Sequence, residues 1–207
     1  MDVYLIGQKT FGARVADMVV RRGAHRLVGA CAPAWKTEDV EPDPLREAVE
    51  ARGLPWLPSD ELEAGSVPEC DLIVLAHAHV FVPAAVRDRA RHGAIGYHPS
   101  LLPLHRGRDA IRWSLHMGDR VTGGTVYWVD DGADTGPIAA QRHVFIRPED
   151  NASSLWSREL FPLGLELLGE VMDEVAAGTA RRVPQDETLA TWEPSWRRAP
   201  LRKGEPS

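Results

Sequence analysis

Asp71-Leu72-Ile73-Val74-Leu75-Ala76, followed at once by His77-Ala78-His79, is the stretch on which the fold turns. A short apolar run without alternation, opened by a charge, describes a strand buried on both faces, the habit of parallel sheets. Two similar runs precede it, Val3 to Ile6 and Arg26 to Ala30. Between the runs, Gly12 to Arg22 and Pro44 to Arg52 carry apolar residues at helical spacing. Asp43-Pro44 opens the second with an N-cap and a proline at the first helical position. Strand, helix, strand, helix is the pattern of a doubly wound α/β domain.

Further along, Ala94 to Tyr97 is expected to be a central strand. From Val121 the texture changes. Thr125 to Val129 and Ile138 to Ile146 are β-rich and separated by the turn-forming loop Asp130 to Pro137. They lie too close for a parallel crossover, so they are expected to pair antiparallel, giving a mixed, mainly parallel sheet with helices on both faces. A long helix is expected over Ala152 to Ala177, kinked or split at Pro162. Beyond Gly178 the chain is rich in Arg, Pro and Trp, which suggests a peripheral strap ending in disorder. The expected division is a catalytic domain over 1–190 and a strap or tail over 191–207.

Composition bounds the function. The 207 residues are 43% hydrophobic and 26% charged, the balance of an ordinary globular protein. Cys31 and Cys70 are too few for a disulfide framework, which fits a reduced, cytoplasmic setting. No apolar run approaches the roughly 20 residues of a membrane span. Met1-Asp2-Val3-Tyr4-Leu5-Ile6-Gly7 lacks the pattern of a signal peptide. A net charge of −6 argues against nucleic acid as a partner. No oligomeric state follows from these features.

The first turn, Gly7-Gln8-Lys9-Thr10-Phe11-Gly12, satisfies neither a dinucleotide fingerprint nor a phosphate-binding Walker loop. Its glycines suit a tight strand-to-helix turn, which leaves room for an anion on the helix N-terminus. His77 and His79 sit at the carboxyl end of a parallel strand, where open α/β sheets bind ligands. Their spacing invites a metal, but no third ligand lies nearby in sequence, so no metal is expected. The segment Gly96-Tyr97-His98-Pro99-Ser100-Leu101-Leu102-Pro103-Leu104-His105-Arg106-Gly107 leaves a strand for a loop fixed by two prolines. A histidine there can serve as acid, base or hydrogen-bond donor near neutral pH. The loop Asp130-Asp131-Gly132-Ala133-Asp134-Thr135-Gly136 lacks calcium-loop spacing, and one of its carboxylates could instead fold back beside His98.

His98-Pro99-Ser100-Leu101-Leu102-Pro103 with Arg106-Gly107, and Asp131-Gly132-Ala133-Asp134-Thr135-Gly136, together resemble the two signatures of the folate-dependent formyltransferase family. Within it the chain is most similar to the N-terminal hydrolase domain of 10-formyltetrahydrofolate dehydrogenase. Ile6-Gly7-Gln8, Asp43-Pro44-Leu45, Ala110-Ile111-Arg112-Trp113 and Leu160-Phe161-Pro162 carry that likeness over residues 1 to about 190. The resemblance implies a Rossmann-like formyltransferase fold and 10-formyltetrahydrofolate as formyl donor, with tetrahydrofolate as product. It implies that His98 polarises the formyl oxygen, while Asp134 holds the histidine's charge state and takes a proton from the attacking nucleophile. It further implies a folate site on backbone groups of His79, Val80 and Phe81, and of Val129, Asp130, Asp131, Gly132 and Ala133.

One departure stands out. Most of the family has asparagine where this chain has Gly96. A missing oxyanion donor costs on the order of a hundredfold in rate where the site depends on it. The hydrolase domain also lacks that asparagine. Glycine is expected to leave open the space a side chain would fill, admitting water or a larger nucleophile; the alternative is that it answers a positive φ or close packing against a neighbouring strand. The expected reaction is removal of the formyl group to water, as formate, or to a small amine. The alternative is a non-catalytic folate-binding or regulatory module. Transfer to tRNA is not expected: the chain ends where methionyl-tRNA formyltransferase continues, and its charge has the wrong sign.

Overall fold

The computed structural model describes residues 1–34 and 42–196. Its strands are β1 (Asp2–Gly7), β2 (Arg26–Ala32), β3 (Trp56–Pro58), β4 (Leu72–Ala76), β5 (Ala94–His98), β6 (Val121–Trp128) and β7 (Ile138–Phe145). They form one seven-stranded sheet in the order β3-β2-β1-β4-β5-β6-β7. Pairings from β3 to β5 are parallel, and those of β6 with β5 and β7 are antiparallel. The mixed, mainly parallel sheet is therefore present.

β4, not β5, occupies the middle of the sheet. The shift comes from β3, an additional edge strand of three residues. Proline can stand on an edge because its missing N–H faces no partner there, so the Pro-rich sequence Pro55-Trp56-Leu57-Pro58 conceals a strand.

The two faces follow from period-two alternation. Val3 and Leu5 of β1 join one core with Phe11, Val15 and Val19 of α1 (Lys9–Arg22), Leu45 of α2 (Pro44–Glu50) and Leu168 of α6 (Phe161–Ala177). Tyr4 and Ile6 join the opposite core with Val86 of α3 (Ala84–Arg87). Helices thus cover both faces, and every residue of β4 is buried. α1 begins three residues before Gly12. Gly7 stands where β1 turns into that helix, and a Cβ there would lie 2.2 Å from the Ala76 carbonyl oxygen. Only glycine allows β1 and β4 to approach so closely.

The long C-terminal helix is continuous in three segments: α5 (Ala152–Leu155), a π-helical turn over Trp156–Leu160, and α6. The Phe161 N–H reaches back to the Trp156 carbonyl, and Pro162 then sits in the first turn of α6. The wider turn absorbs the proline without a break. Tyr97 donates its hydroxyl to the Leu160 carbonyl at 2.7 Å. Downstream of α6 the chain packs back onto the sheet: Val183 bridges Ile138, and Trp128 Nε1 donates to the Arg181 carbonyl at 2.7 Å. The expected disorder at the end of the strap falls on residues 197–207, outside the described residues.

Candidate active site

β5 delivers His98 to the carboxyl-end side of β4, and the proline loop after it is pinned from the antiparallel strands. Thr125 on β6 donates its hydroxyl to the Ser100 carbonyl at 2.7 Å and accepts the Leu102 N–H at 3.2 Å. Gln141 on β7 donates to the Leu102 carbonyl at 2.9 Å. Each of these buried backbone groups is therefore satisfied by a side chain, as burial requires. The His98 side chain is 7% exposed. Its Nε2 lies 2.7 Å from the His105 carbonyl, which can only accept, so Nε2 carries a hydrogen. His105 is itself fixed: its Nε2 is 2.8 Å from Asp119, its Nδ1 is 3.3 Å from Glu193, and its N–H donates to Thr191 Oγ1 at 2.8 Å.

The other ring nitrogen of His98, Nδ1, stands 3.5 Å from Asp134 Oδ2. That is longer than a hydrogen bond and leaves both atoms able to engage a third group. Asp134 sits in the loop after β6 with φ 58°, a left-handed conformation that aspartate tolerates better than most residues. Its carboxylate is held on both oxygens: the Tyr127 hydroxyl donates to Oδ1 at 2.6 Å, and the Gly107 N–H donates to Oδ2 at 2.8 Å. Gln185 Nε2 holds the loop backbone, donating to the carbonyls of Asp134 at 2.9 Å and Gly136 at 2.7 Å. Buried Arg106 in turn holds the Gln185 Oε1 at 2.8 Å.

At Gly96 the structure has close packing against the neighbouring strand in place of open space. A Cβ there would lie 3.1 Å from Tyr127 Cε1 and 3.2 Å from the Tyr127 hydroxyl oxygen. Tyr127 is the cross-strand partner of Gly96, and its ring fills the space that glycine was expected to leave open. The backbone of Gly96 needs no positive φ; close packing explains the glycine.

His77 follows β4 in the left-handed region, φ 60°, and its ring meets that of His79 at 4.9 Å. Burial, with the neighbouring His79 and Lys9, pushes the His77 pKa down to about 4. His79 Nδ1 is 3.0 Å from Gln8 Nε2. Gln8, His79 and Val80 border a small cavity of about 60 Å³ at the ends of β1, β2 and β4, together with Gly7, Cys31 and Ser59. Val80 is partly buried and Phe81 is 63% exposed. Arg87 joins this segment to the acidic loop, donating to the Val82 carbonyl at 2.7 Å and to the Asp131 carboxylate. Within the loop, Asp130 Oδ1 accepts from the Gly132 N–H at 3.0 Å and the Thr135 hydroxyl at 2.6 Å, and the Val129 N–H donates to the Ala94 carbonyl at 2.8 Å. Ala133 is exposed. Among the described residues no three His, Cys, Asp or Glu side chains gather as a metal site.

At the N-terminus of α1, Asp43 supplies the anion. Its two carboxylate oxygens accept the Lys9 N–H at 3.0 and 2.8 Å, and one of them also accepts the Leu45 N–H at 2.9 Å. No local motif in the sequence marks Tyr127, Thr125 or Gln185. Tyr127 is one aromatic in a β-rich run, and Gln185 lies in a strap with no local motif.

The formyl transferase family model matches residues 57–164. The chain is 42% identical over 204 residues to the mitochondrial 10-formyltetrahydrofolate dehydrogenase of Mus musculus, and 37% identical over 205 residues to the cytosolic 10-formyltetrahydrofolate dehydrogenase of Xenopus laevis. These alignments cover 93% and 94% of this chain but 22% of each relative, so the chain spans about a fifth of their length. Among solved structures, glycinamide ribonucleotide transformylase 1 from Symbiobacterium toebii superposes with a TM-score of 0.72 at 22% identity, covering 88% of this chain and 94% of that one. At that identity the likeness is one of fold.

Proposed function

Because this chain belongs to the formyl transferase family, we propose that it removes the formyl group of 10-formyltetrahydrofolate and passes it to water, releasing formate and tetrahydrofolate. The observation that carries this reading is the pair of buried His98 Nδ1 and partly buried Asp134 Oδ2, 3.5 Å apart. In the proposed reaction Asp134 takes a proton from water as the oxygen attacks the formyl carbon. The formyl oxygen gains negative charge, and protonated His98 donates to it from Nδ1, since Nε2 is committed to the His105 carbonyl. The tetrahedral intermediate then collapses, the C–N bond breaks, and the folate nitrogen receives the proton held by Asp134.

The α1 terminus supports water over a phosphorylated amine as the acceptor. A phosphorylated amine would seek the free N–H groups of such a helix end, and here the Asp43 carboxylate already engages Lys9. A carboxylate at that place repels a phosphate, whereas a neutral water is not repelled. The folate itself is proposed to lie against His79, Val80, Phe81 and the loop from Val129 to Ala133, two segments that Arg87 clips together.

The reading also assigns residues 1–190 to the catalytic domain and 191–207 to a strap or tail, supported at its start by Thr191 and Glu193 packing on His105 from outside the sheet. It places the protein in the cytoplasm, without nucleic acid partners, in keeping with two free buried cysteines and a net charge of −6. No described helix is long and apolar enough to cross a membrane.

The test is incubation of the purified protein with 10-formyltetrahydrofolate alone, following tetrahydrofolate and formate. Turnover without an amine is expected. Folate binding with no turnover would replace the enzyme by a binding module.

A further inference from the structure

Gly96 and Tyr127 face each other across β5 and β6, and neither makes sense alone. Glycine is a poor strand residue because it supplies no side chain to pack, and a strand interior tolerates it mainly where something else approaches the backbone. Here the approaching group is the Tyr127 ring, whose Cε1, Cζ and hydroxyl oxygen would all lie within 3.1 to 3.2 Å of a Cβ on residue 96. The ring is 8% exposed, so its hydroxyl must find a partner inside the protein. It finds Asp134 Oδ1, at 2.6 Å.

That contact decides how Asp134 presents itself. A carboxylate on a loop can rotate about its side-chain bonds, and the useful arrangement has one oxygen toward His98. With Oδ1 taken by Tyr127 and Oδ2 receiving the Gly107 N–H, the rotation is fixed and Oδ2 stands 3.5 Å from His98 Nδ1. We propose that Tyr127 is a positioning residue for this site: its ring occupies the place of a side chain at position 96, and its hydroxyl aims Asp134 at His98. The inference rests on the proposed roles of His98 and Asp134. Burial and the charge of Asp134 raise the Tyr127 pKa well above the usual phenol range, so the hydroxyl remains a donor at every pH at which the protein would work.

Two consequences separate this role from plain packing. Phenylalanine keeps the ring over Gly96 and removes only the donor, so Tyr127→Phe tests the aim of Asp134 without opening a cavity. Alanine at position 96 does the reverse. Its Cβ would stand 3.1 to 3.2 Å from the ring, so the ring, and the hydroxyl it carries, must give by a few tenths of an ångström.

The experiment is a cycle of four proteins: the unchanged chain, Tyr127→Phe, Gly96→Ala and the double variant. For each, kcat and KM for 10-formyltetrahydrofolate are measured beside the melting temperature. Hydrogen bonds to charged groups are among the stronger ones, so Tyr127→Phe is expected to lower kcat by roughly 10- to 100-fold. KM should change less than about threefold, because no folate contact is lost. Gly96→Ala should lower kcat by a smaller factor, and the double variant should be little worse than Tyr127→Phe alone, since both act on the same contact. A Tyr127→Phe protein with unchanged kcat overturns the proposal, as does one in which kcat falls only in step with the melting temperature. Asp134→Asn serves as the control for the underlying reading. If it abolishes turnover while Tyr127→Phe does not, only the positioning role fails; if it leaves turnover intact, the proposed chemistry fails with it.

Discussion

The Nε2–H of His98 donates to the backbone carbonyl of His105 at 2.7 Å, and this one bond leaves Nδ1 as the ring nitrogen without that partner. Nδ1 is the atom left to face Asp134 and any substrate. His105 can serve as the anchor because Asp119, Glu193 and Thr191 fix its side chain and its N–H. In the proposed reaction, a carbonyl held this way is the group that orients the His98 ring.

The first prediction follows from that bond. Long-range proton–nitrogen NMR spectra of the His98 ring should show Nε2 protonated in the neutral form, with Nδ1 the nitrogen that responds to ligand. The opposite tautomer would contradict the assignment. His98→Ala should lower turnover by roughly 10²- to 10⁴-fold, the usual worth of a positioned acid or base, with the fold retained.

Gln185 and Glu187 both meet Arg106, yet they should differ sharply. Gln185→Ala leaves the carbonyls of Asp134 and Gly136 without their donor, and lost partners of that kind cost about 1–3 kcal/mol each where the group stays buried. Glu187 is 66% exposed at its side chain, and exposed ion pairs contribute about 0–1 kcal/mol. Urea unfolding should therefore separate the two variants. Turnover should fall with Gln185→Ala and hardly move with Glu187→Ala.

His77 sets a pH dependence of stability. Its pKa falls from 6.5 to about 4 on folding, chiefly through burial. The unfolded chain takes up the proton as pH drops through 6.5, whereas the folded chain resists until about 4. Stability is unaffected above that window and declines across it as pH falls. The loss should amount to roughly 1–2 kcal/mol after allowance for solvent screening of a partly exposed ring. His77→Asn, which suits the φ of 60° at this position, should flatten the decline between pH 6.5 and 4 in urea titrations.

Both cysteines should be inert in the native protein. Burial raises the Cys31 thiol to about 12 and the Cys70 thiol to about 11, and the thiolate is the reactive form. A thiol reagent such as dithionitrobenzoate at pH 8 should modify neither until denaturant is added. Rapid labelling of the folded chain would show that one of the two is exposed.

Much of this protein lies in local sequence. Leu72 to Ala76 is apolar throughout because both of its faces are covered, and burial on two faces leaves no polar position to obscure the strand. The antiparallel pair of β6 and β7 follows from chain length, since no parallel crossover fits in the short loop between them. His98 and Asp134 are marked by the loops that carry them: prolines and glycines fix backbone direction through their own covalent geometry, so they leave a trace in sequence. Pro162 belongs here too, although its effect is a widened turn and not a break.

What tertiary structure alone decides is which groups meet. Gly96 shows why. Its neighbour is set by the register of β5 against β6, and register is a property of two strands jointly, so the sequence of β5 cannot reveal that Tyr127 lies over it. The same holds for Gln185, which reaches Asp134 across 51 positions, and for Asp43, which reaches the first turn of α1 across 34. A polar side chain far along the chain has no local preference that betrays its partner. Only packing brings it within the 3 Å at which a hydrogen bond forms.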